Sequence, residues 1–498
     1  MEFNPDACYR AVLSRDARFD GRFFGGVKTT GVYCRPVCPA RTPRRENMVF
    51  FPSAAAAEAA GFRACLRCRP ETAPDMGAWR GASNTVSRAL AMIEAGALDD
   101  GDVDHLAERL GVGERQLRRL FRQHLGAAPV SVAQTRRVLL AKQLIHETRL
   151  PMAEVALASG FGSVRRFNET FQRLYGRPPS ALRRGAAPEA APGETVRLML
   201  RYRPPYDWDG LIEFLALRAI PGVETVRGDR YARTIALDGA VGTVAVAPAG
   251  GDRLAVEVRF PRLTALPTIL ARVRRLFDLS ADPAAIGAQL SKDPALAPLV
   301  ATRPGLRTPG AWDGFELAVR AILGQQITVA AAAKLAARIA AEHGEPLPAE
   351  WAAEGLSLTF PDPARLAAAD LSTLPMPGAR QRALSALAQA AAADPALLGP
   401  RASLEEAVTR LRGLSGIGEW TAQYIAMRAL REPDAFPAAD VGLMRAFEAP
   451  DGHRPSAAQL LTRAEAWRPW RAYAALHLWA AGVGGAWIEE RIDDQSAA

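Results

Sequence analysis

Four of the five cysteines in this 498-residue chain fall in two tight pairs, Cys34-x3-Cys38 and Cys65-x2-Cys68, with 26 residues between them. Thiolates at this spacing suit a tetrahedral zinc site. A segment of about 75 residues builds only a modest core, so a metal staple there adds stability that burial alone does not supply. The alternative is four buried free thiols. Five cysteines are too few for a disulfide framework in a chain this long. Cys8 has no partner at metal spacing and reads as a small core residue.

Charge divides the chain. Residues 1–186 carry 29 Lys and Arg against 18 Asp and Glu, a net +11, whereas residues 187–498 carry 33 against 35, a net −2. A basic excess confined to the N-terminal part favours a polyanionic partner there, nucleic acid first. The 49% hydrophobic content excludes a wholly disordered chain. No apolar run reaches membrane-helix length, and Met1–Asp6 has no signal-like character, so no membrane is expected and a cytoplasmic location is. The length suggests three or four domains.

Patterning supplies the boundaries. Residues 1–77 hold short elements and all the cysteines, and residues 78–186 are helices with short breaks. Residues 187–193 are Ala, Pro and Gly-rich and read as a linker. Residues 194–283 alternate between strand and helix patterns, with strands expected at Thr195–Tyr202, Tyr231–Leu237, Gly242–Val246 and Arg253–Phe260 and helices at Trp208–Ala219 and Ala265–Phe277. Residues 284–498 are Ala/Leu-rich and helical. The expected fold class is therefore multidomain and mainly α.

Thr29–Arg41 (TTGVYCRPVCPAR), Arg45-Glu46-Asn47 and Ala60–Cys68 (AGFRACLRC) resemble the zinc domain of Ada-type alkylation-response proteins. The resemblance implies a small α+β domain holding Zn²⁺ on Cys34, Cys38, Cys65 and Cys68. It also implies that Cys34 takes a methyl group from a DNA phosphotriester, and that Arg45 lies on the DNA-facing side. A zinc-held thiolate is a ready nucleophile at neutral pH, and methylating it removes negative charge facing DNA phosphate. The competing reading is a purely structural zinc site.

In residues 78–186, Val103–Leu110, Gly111-Val112-Gly113 and Glu114–His124 form a helix-turn-helix pattern with a basic second helix. The pattern recurs at Met152–Ser159, Gly160-Phe161-Gly162 and Ser163–Tyr175. Two units joined by a helix near Ser131–Glu147 resemble an AraC-type DNA-binding domain, whose second helices enter adjacent major grooves. Arg115, Arg118, Arg119, Arg165 and Arg166 are the candidate DNA contacts, with about half expected to reach only solvent. If the chain activates transcription, RNA polymerase is the implied partner, and a nucleoid-associated location follows.

The C-terminal half carries Leu414-Ser415-Gly416-Ile417-Gly418-Glu419-Trp420-Thr421-Ala422, a G-I-G hairpin before a helix that exposes backbone N–H groups to a phosphate. Asp440 follows in Phe436-Pro437-Ala438-Ala439-Asp440; on its own it is equally an ordinary helix N-cap. With Pro204–Trp208, Arg303–Arg307, Ala321–Gln326 and Trp467–Tyr473, these motifs resemble the helix-hairpin-helix DNA glycosylases of the AlkA type, 3-methyladenine excisers, over residues 194–484. The resemblance implies a TBP-like α+β subdomain at 194–283 and an all-α glycosylase domain beyond it.

It further implies a catalytic role for Asp440, a base pocket of Phe214, Trp420, Tyr424 and Trp479, and DNA contacts at Gly416 and Gly418. A monovalent cation is implied on the carbonyls of Arg412, Leu414 and Ile417. Trp420 stands where lyase-active relatives carry lysine, which implies a monofunctional glycosylase without a Schiff base. Gln326 stands where the family has an apolar wedge that fills the gap left by the flipped base.

The expectation is a chain that accepts methyl groups from double-stranded DNA, regulates transcription and excises N-alkylated purines. The main alternative is a regulator whose glycosylase half binds damage without catalysis; another is a glycosylase that its N-terminal domains merely localise to DNA.

Overall fold

The computed structural model describes residues 4–74, 84–99, 101–183, 195–352, 355–401 and 403–482. The expected linker at 187–193 and the boundary at 77/78 lie outside the described residues. The chain is multidomain and mainly α, and it divides into two compact units. The first comprises residues 1–203, 249–274 and 279–281; the second comprises 204–248, 275–278 and 282–498.

The first unit opens with helix Pro5–Leu13, capped by Asn4, whose side chain accepts from the amides of Asp6 and Ala7. A four-stranded sheet follows: β1 (Phe24–Val27), β2 (Val32–Cys34), β3 (Met48–Phe51) and β4 (Arg63–Ala64), in the order β3-β1-β2-β4. β1 is antiparallel to β2 and β3, and β4 joins β2 in parallel. At Gly26 a Cβ would come within 2.7 Å of the Phe51 ring and 2.9 Å of the Phe62 ring, so packing favours glycine there. Cys8 packs with Val12, Phe23 and Met48, and burial pushes its thiol up, as befits a core residue.

The helical part of this unit runs Asn84–Glu94, Val103–Arg109, Glu114–Leu125, Pro129–Glu147, Met152–Ala158 and Val164–Tyr175. Leu117, Phe121 and Leu125 form the buried stripe of one basic helix, and Phe167, Thr170 and Phe171 that of the other. Each helix ends on a left-handed glycine, Gly126 (φ +67°) or Gly176 (φ +66°), as helix C-caps favour. β5 (Val196–Arg201) pairs antiparallel with β9 (Arg253–Arg259).

The second unit contains helix Trp208–Ala216 and an antiparallel meander of β6 (Glu224–Arg227), β7 (Arg230–Leu237) and β8 (Ala240–Pro248). The β7–β8 turn is Asp238-Gly239, both at positive φ, the geometry that two-residue hairpins require. β6 was not expected from the pattern: it is four residues long and begins on buried Glu224, whose charge is met by Arg233 and Arg320. The rest is helical and includes Gly314–Leu323, Val329–His343, Gly378–Ala393, Leu404–Arg412, Glu419–Arg428, Val441–Arg445 and Arg471–Ala481. The range 194–283 is divided between the units, β5 and β9 grouping with the first and β6–β8 with the second. No helix among the described residues is long and apolar enough to cross a membrane.

Candidate functional site

In the first unit the ligand atoms of Cys34, Cys38, Cys65 and Cys68 all lie within 4.8 Å of one another. Thiolates gathered this closely fit zinc, which takes four sulfurs at about 2.3 Å in a tetrahedron. β2 delivers Cys34 at its end, and the parallel β4 leads directly into Cys65. The amides of Arg35 and Arg67 point at the sulfurs of Cys68 and Cys65, at 3.4 and 3.3 Å. Cys34 is the least enclosed of the four.

Arg35, unassigned from sequence, is buried beside this cluster. Its guanidinium pairs with Asp20 and donates from Nη1 to the Cys68 carbonyl (3.2 Å) and to Thr72 Oγ1 (2.7 Å). It thereby clamps the residue after the proposed methyl acceptor to the last ligand's backbone. Arg45 lies on the surface helix turn before β3, paired to Asp6 at 3.0 Å.

Along the two basic helices Arg115, Arg119, Arg165 and Arg166 are exposed. Arg118 is partly covered and pairs with Glu114 one turn back, and Arg165 pairs with Glu169 at 2.8 Å. Such exposed pairs hold little energy and yield readily to a phosphate.

In the second unit, Leu404–Arg412 and Glu419–Arg428 form the hairpin. Gly416 has φ +81°, and a Cβ there would sit 2.3 Å from the Ala383 methyl, so only glycine fits. Gly418 caps the second helix without any side-chain cap, with open space around its α-carbon, which leaves room for a phosphate at the helix N-terminus. Gln325 Nε2 ties the preceding loop to this hairpin, donating to the Gly416 carbonyl and to Thr421 Oγ1, both at 3.0 Å. The neighbouring Gln326 is exposed at φ +58°, a conformation unusual for a side-chain-bearing residue.

Asp440 caps helix Val441–Arg445, accepting from the Leu443 amide at 3.0 Å. It also accepts from two indoles: Trp479 Nε1–H reaches Oδ1 at 2.9 Å, and Trp420 Nε1–H reaches Oδ2 at 2.8 Å. The carboxylate is therefore both a helix cap and a group held on each oxygen by an indole.

Both indoles line one cavity with Phe214, Tyr424 and Asp440, so the structure brings all four proposed pocket aromatics together. Trp420 stacks on Tyr424, with centroids 5.2 Å apart and planes 9° apart, and Trp479 lies at 57° to Tyr424. The Phe214 ring is already engaged, by Arg218 at 3.8 Å and Arg428 at 4.7 Å. These arginines line the cavity too, yet sequence reading passed over them, since isolated arginines at 218 and 428 carry no pattern.

Fold and site together define a zinc-bearing, helix-turn-helix protein joined to a helix-hairpin-helix base-excision domain. Four family models match accordingly: the metal binding domain of Ada at residues 7–71, a helix-turn-helix domain at 106–185, the AlkA N-terminal domain at 197–313, and the HhH-GPD superfamily base excision DNA repair protein at 319–472. The probable bifunctional transcriptional activator/DNA repair enzyme AlkA of Mycobacterium tuberculosis is 43% identical over 96% of this chain and 97% of its own. The chain belongs to that family of bifunctional transcriptional activator/DNA repair enzymes. DNA-3-methyladenine glycosylase 2 of Escherichia coli is 41% identical over 56% of this chain and 95% of its own. The solved 3-methyladenine DNA-glycosylase from Archaeoglobus fulgidus shares the fold over 57% of this chain and 97% of its own, with TM-score 0.50 and 23% identity.

Proposed function

We propose that this chain senses methylated DNA phosphate through Cys34, switches transcription through its two basic helices, and excises N-alkylated purines at Asp440. The observation that carries the excision reading is the double indole clamp: Trp420 and Trp479 line the base cavity and also fix both oxygens of Asp440. As the C1′–N bond breaks, its electron pair leaves with the base and positive charge develops on the sugar. The held carboxylate stabilises that charge. Water then bonds to C1′ and gives up a proton. An N-alkylated purine is already cationic, so it departs with little help from an acid.

The reaction is read as monofunctional, since Trp420 offers no amine for a Schiff base. Gln326 is the residue assigned to fill the gap in the duplex; its exposed, left-handed position on a loop tied to the hairpin supports this. Gly416 and Gly418 approach a phosphate. The monovalent cation is assigned to the carbonyls of Arg412, Leu414 and Ile417.

Cys34, Cys38, Cys65 and Cys68 would hold the zinc, which would supply the charge that keeps the Cys34 sulfur ionised. The Cys34 sulfur bonds to the methyl carbon while the carbon–oxygen bond to phosphate breaks, leaving a phosphodiester anion. Arg45 is assigned to the DNA-facing side of this domain. Arg115, Arg118, Arg119, Arg165 and Arg166 are the promoter contacts, with RNA polymerase as the partner of the activated form and the nucleoid as its place of work.

The deciding experiment is single-turnover base release from methylated duplex by wild type and Asp440→Asn. Asparagine still caps the helix, but its amide NH₂ meets one indole N–H, so thermal unfolding is followed alongside. Loss of release with folding and DNA binding retained is expected; release within about threefold of wild type returns Asp440 to a cap. Trapping of a covalent enzyme–DNA adduct by borohydride would end the monofunctional reading.

A further inference from the structure

Stacking on Trp420 needs only the ring of Tyr424, and phenylalanine would supply it. The hydroxyl sits in a more demanding place. Arg428 Nη1 donates to it at 2.6 Å, and the same guanidinium spends its other edges on the carbonyls of Pro309 (Nε, 2.9 Å) and Gly310 (Nη2, 3.0 Å). Arg428 is therefore locked facing the phenol. Arg218 acts on the same oxygen from the Phe214 side.

Guanidinium groups donate and never accept. A phenol oxygen that accepts from a guanidinium therefore keeps its own O–H to donate to another group. Among the described residues the hydrogen bond recorded at this hydroxyl comes from Arg428, and Arg218 adds its positive charge nearby. What remains within reach is the cavity that Tyr424 lines with Asp440 and Trp479. Burial pushes the phenol up in pKa, and Arg428 and Arg218 outweigh it, drawing the group below its ordinary value and making it a stronger donor.

We propose that Tyr424, polarised by Arg428 and Arg218, donates a hydrogen bond to the group at position 6 of the flipped purine, so that the pocket favours N-alkylated guanine over N-alkylated adenine. The two bases differ at that edge. Guanine presents the O6 carbonyl, an acceptor, where adenine presents an amino donor. A site built to make one hydrogen bond discriminates by the bond it leaves unmade. Tyr424 is on this reading a specificity-determining residue; Arg218 and Arg428 position and polarise it. The proposal rests on the glycosylase reading of the cleft.

The test uses the full chain and one substrate preparation, duplex DNA treated with dimethyl sulfate, from which released 7-methylguanine and 3-methyladenine are separated and counted in the same reaction. Tyr424→Phe keeps the stacked ring and removes the hydroxyl. It is expected to slow 7-methylguanine release about tenfold more than 3-methyladenine release. Arg218→Met, which leaves the Arg428 hydrogen bonds intact, is expected to shift the ratio the same way by a smaller factor, and it serves where Tyr424→Phe lowers thermal stability. An unchanged release ratio in a folded variant overturns the proposal. Failure of wild type to release either base removes the glycosylase reading itself.

Discussion

Lys142 and Glu71 form an ion pair 2.8 Å long with side chains 0% and 1% exposed. Glu71 lies three residues beyond the last zinc ligand, and Lys142 sits in the long helix between the two helix-turn-helix units. Arg69 extends the link, bridging Glu71 and Glu147 at 3.2 and 3.0 Å, and Glu147 accepts from the Met199 amide of β5 at 3.0 Å. The zinc segment and the helix that connects the two helix-turn-helix units are thus joined through buried charge.

Removing one partner of such a pair leaves the other charged and enclosed. Lys142→Met is expected to destabilise the first unit by about 3–5 kcal/mol, read as an earlier denaturation transition. Burial raises the Glu71 pKa, but Lys142 outweighs it and holds the group below its ordinary value. Its stabilisation is therefore complete above the unfolded carboxyl pKa of about 4.3 and is lost as pH falls through the folded value. Lys142→Met should shrink that acid dependence.

Zinc analysis of purified protein should give one ion per chain, and Cys68→Ala should lose it. Chelation should expose residues 4–74 to protease first, because the metal replaces core there. After incubation with methylphosphotriester DNA, peptide mass spectrometry should find the methyl on Cys34 alone, the least enclosed of the four thiols.

Trp479→Phe keeps an aromatic face in the pocket and deletes the donor to Asp440 Oδ1. A hydrogen bond to a charged group contributes about 1.5–3 kcal/mol. The single-turnover excision rate should fall roughly 10- to 100-fold, with damaged-DNA affinity nearly unchanged. A loss of affinity equal to the loss of rate would assign Trp479 to stacking alone.

Burial, with Arg303 in support and Asp207 opposing, lowers the His477 imidazole to about 4. The folded state therefore holds it neutral. Its stabilisation is full above the unfolded value of about 6.5 and is withdrawn as pH falls towards 4, amounting to about 3 kcal/mol. A His477→Gln variant should show a flatter Tm between pH 6.5 and 4 than wild type.

The zinc cluster was legible because four thiols within 35 residues satisfy one tetrahedron whatever the surrounding fold. The Asp238-Gly239 hairpin was legible because its turn geometry is local. Asp440 emerged from the Pro-Ala-Ala-Asp motif, but its indole clamp did not, since the partners come from positions 20 residues before and 39 after. The Lys142 ion pair left no sequence signal, because its buried partner is 71 residues away. β6 hid for the same reason: a strand beginning on a buried glutamate makes sense only beside Arg233 and Arg320.

Trp420 and Trp479 both line the cavity and hold the Asp440 carboxylate, so on the proposed function substrate range and turnover share the same two side chains. On the proposed reading, a mutation that reshapes either indole to admit a new lesion also loosens its hold on Asp440. Selection for new specificity is thereby steered to Phe214 and Arg218, which line the cavity from helix Trp208–Ala216 and the turn after it. Lineages that broaden or narrow their repertoire should carry their differences there, with both tryptophans left in place.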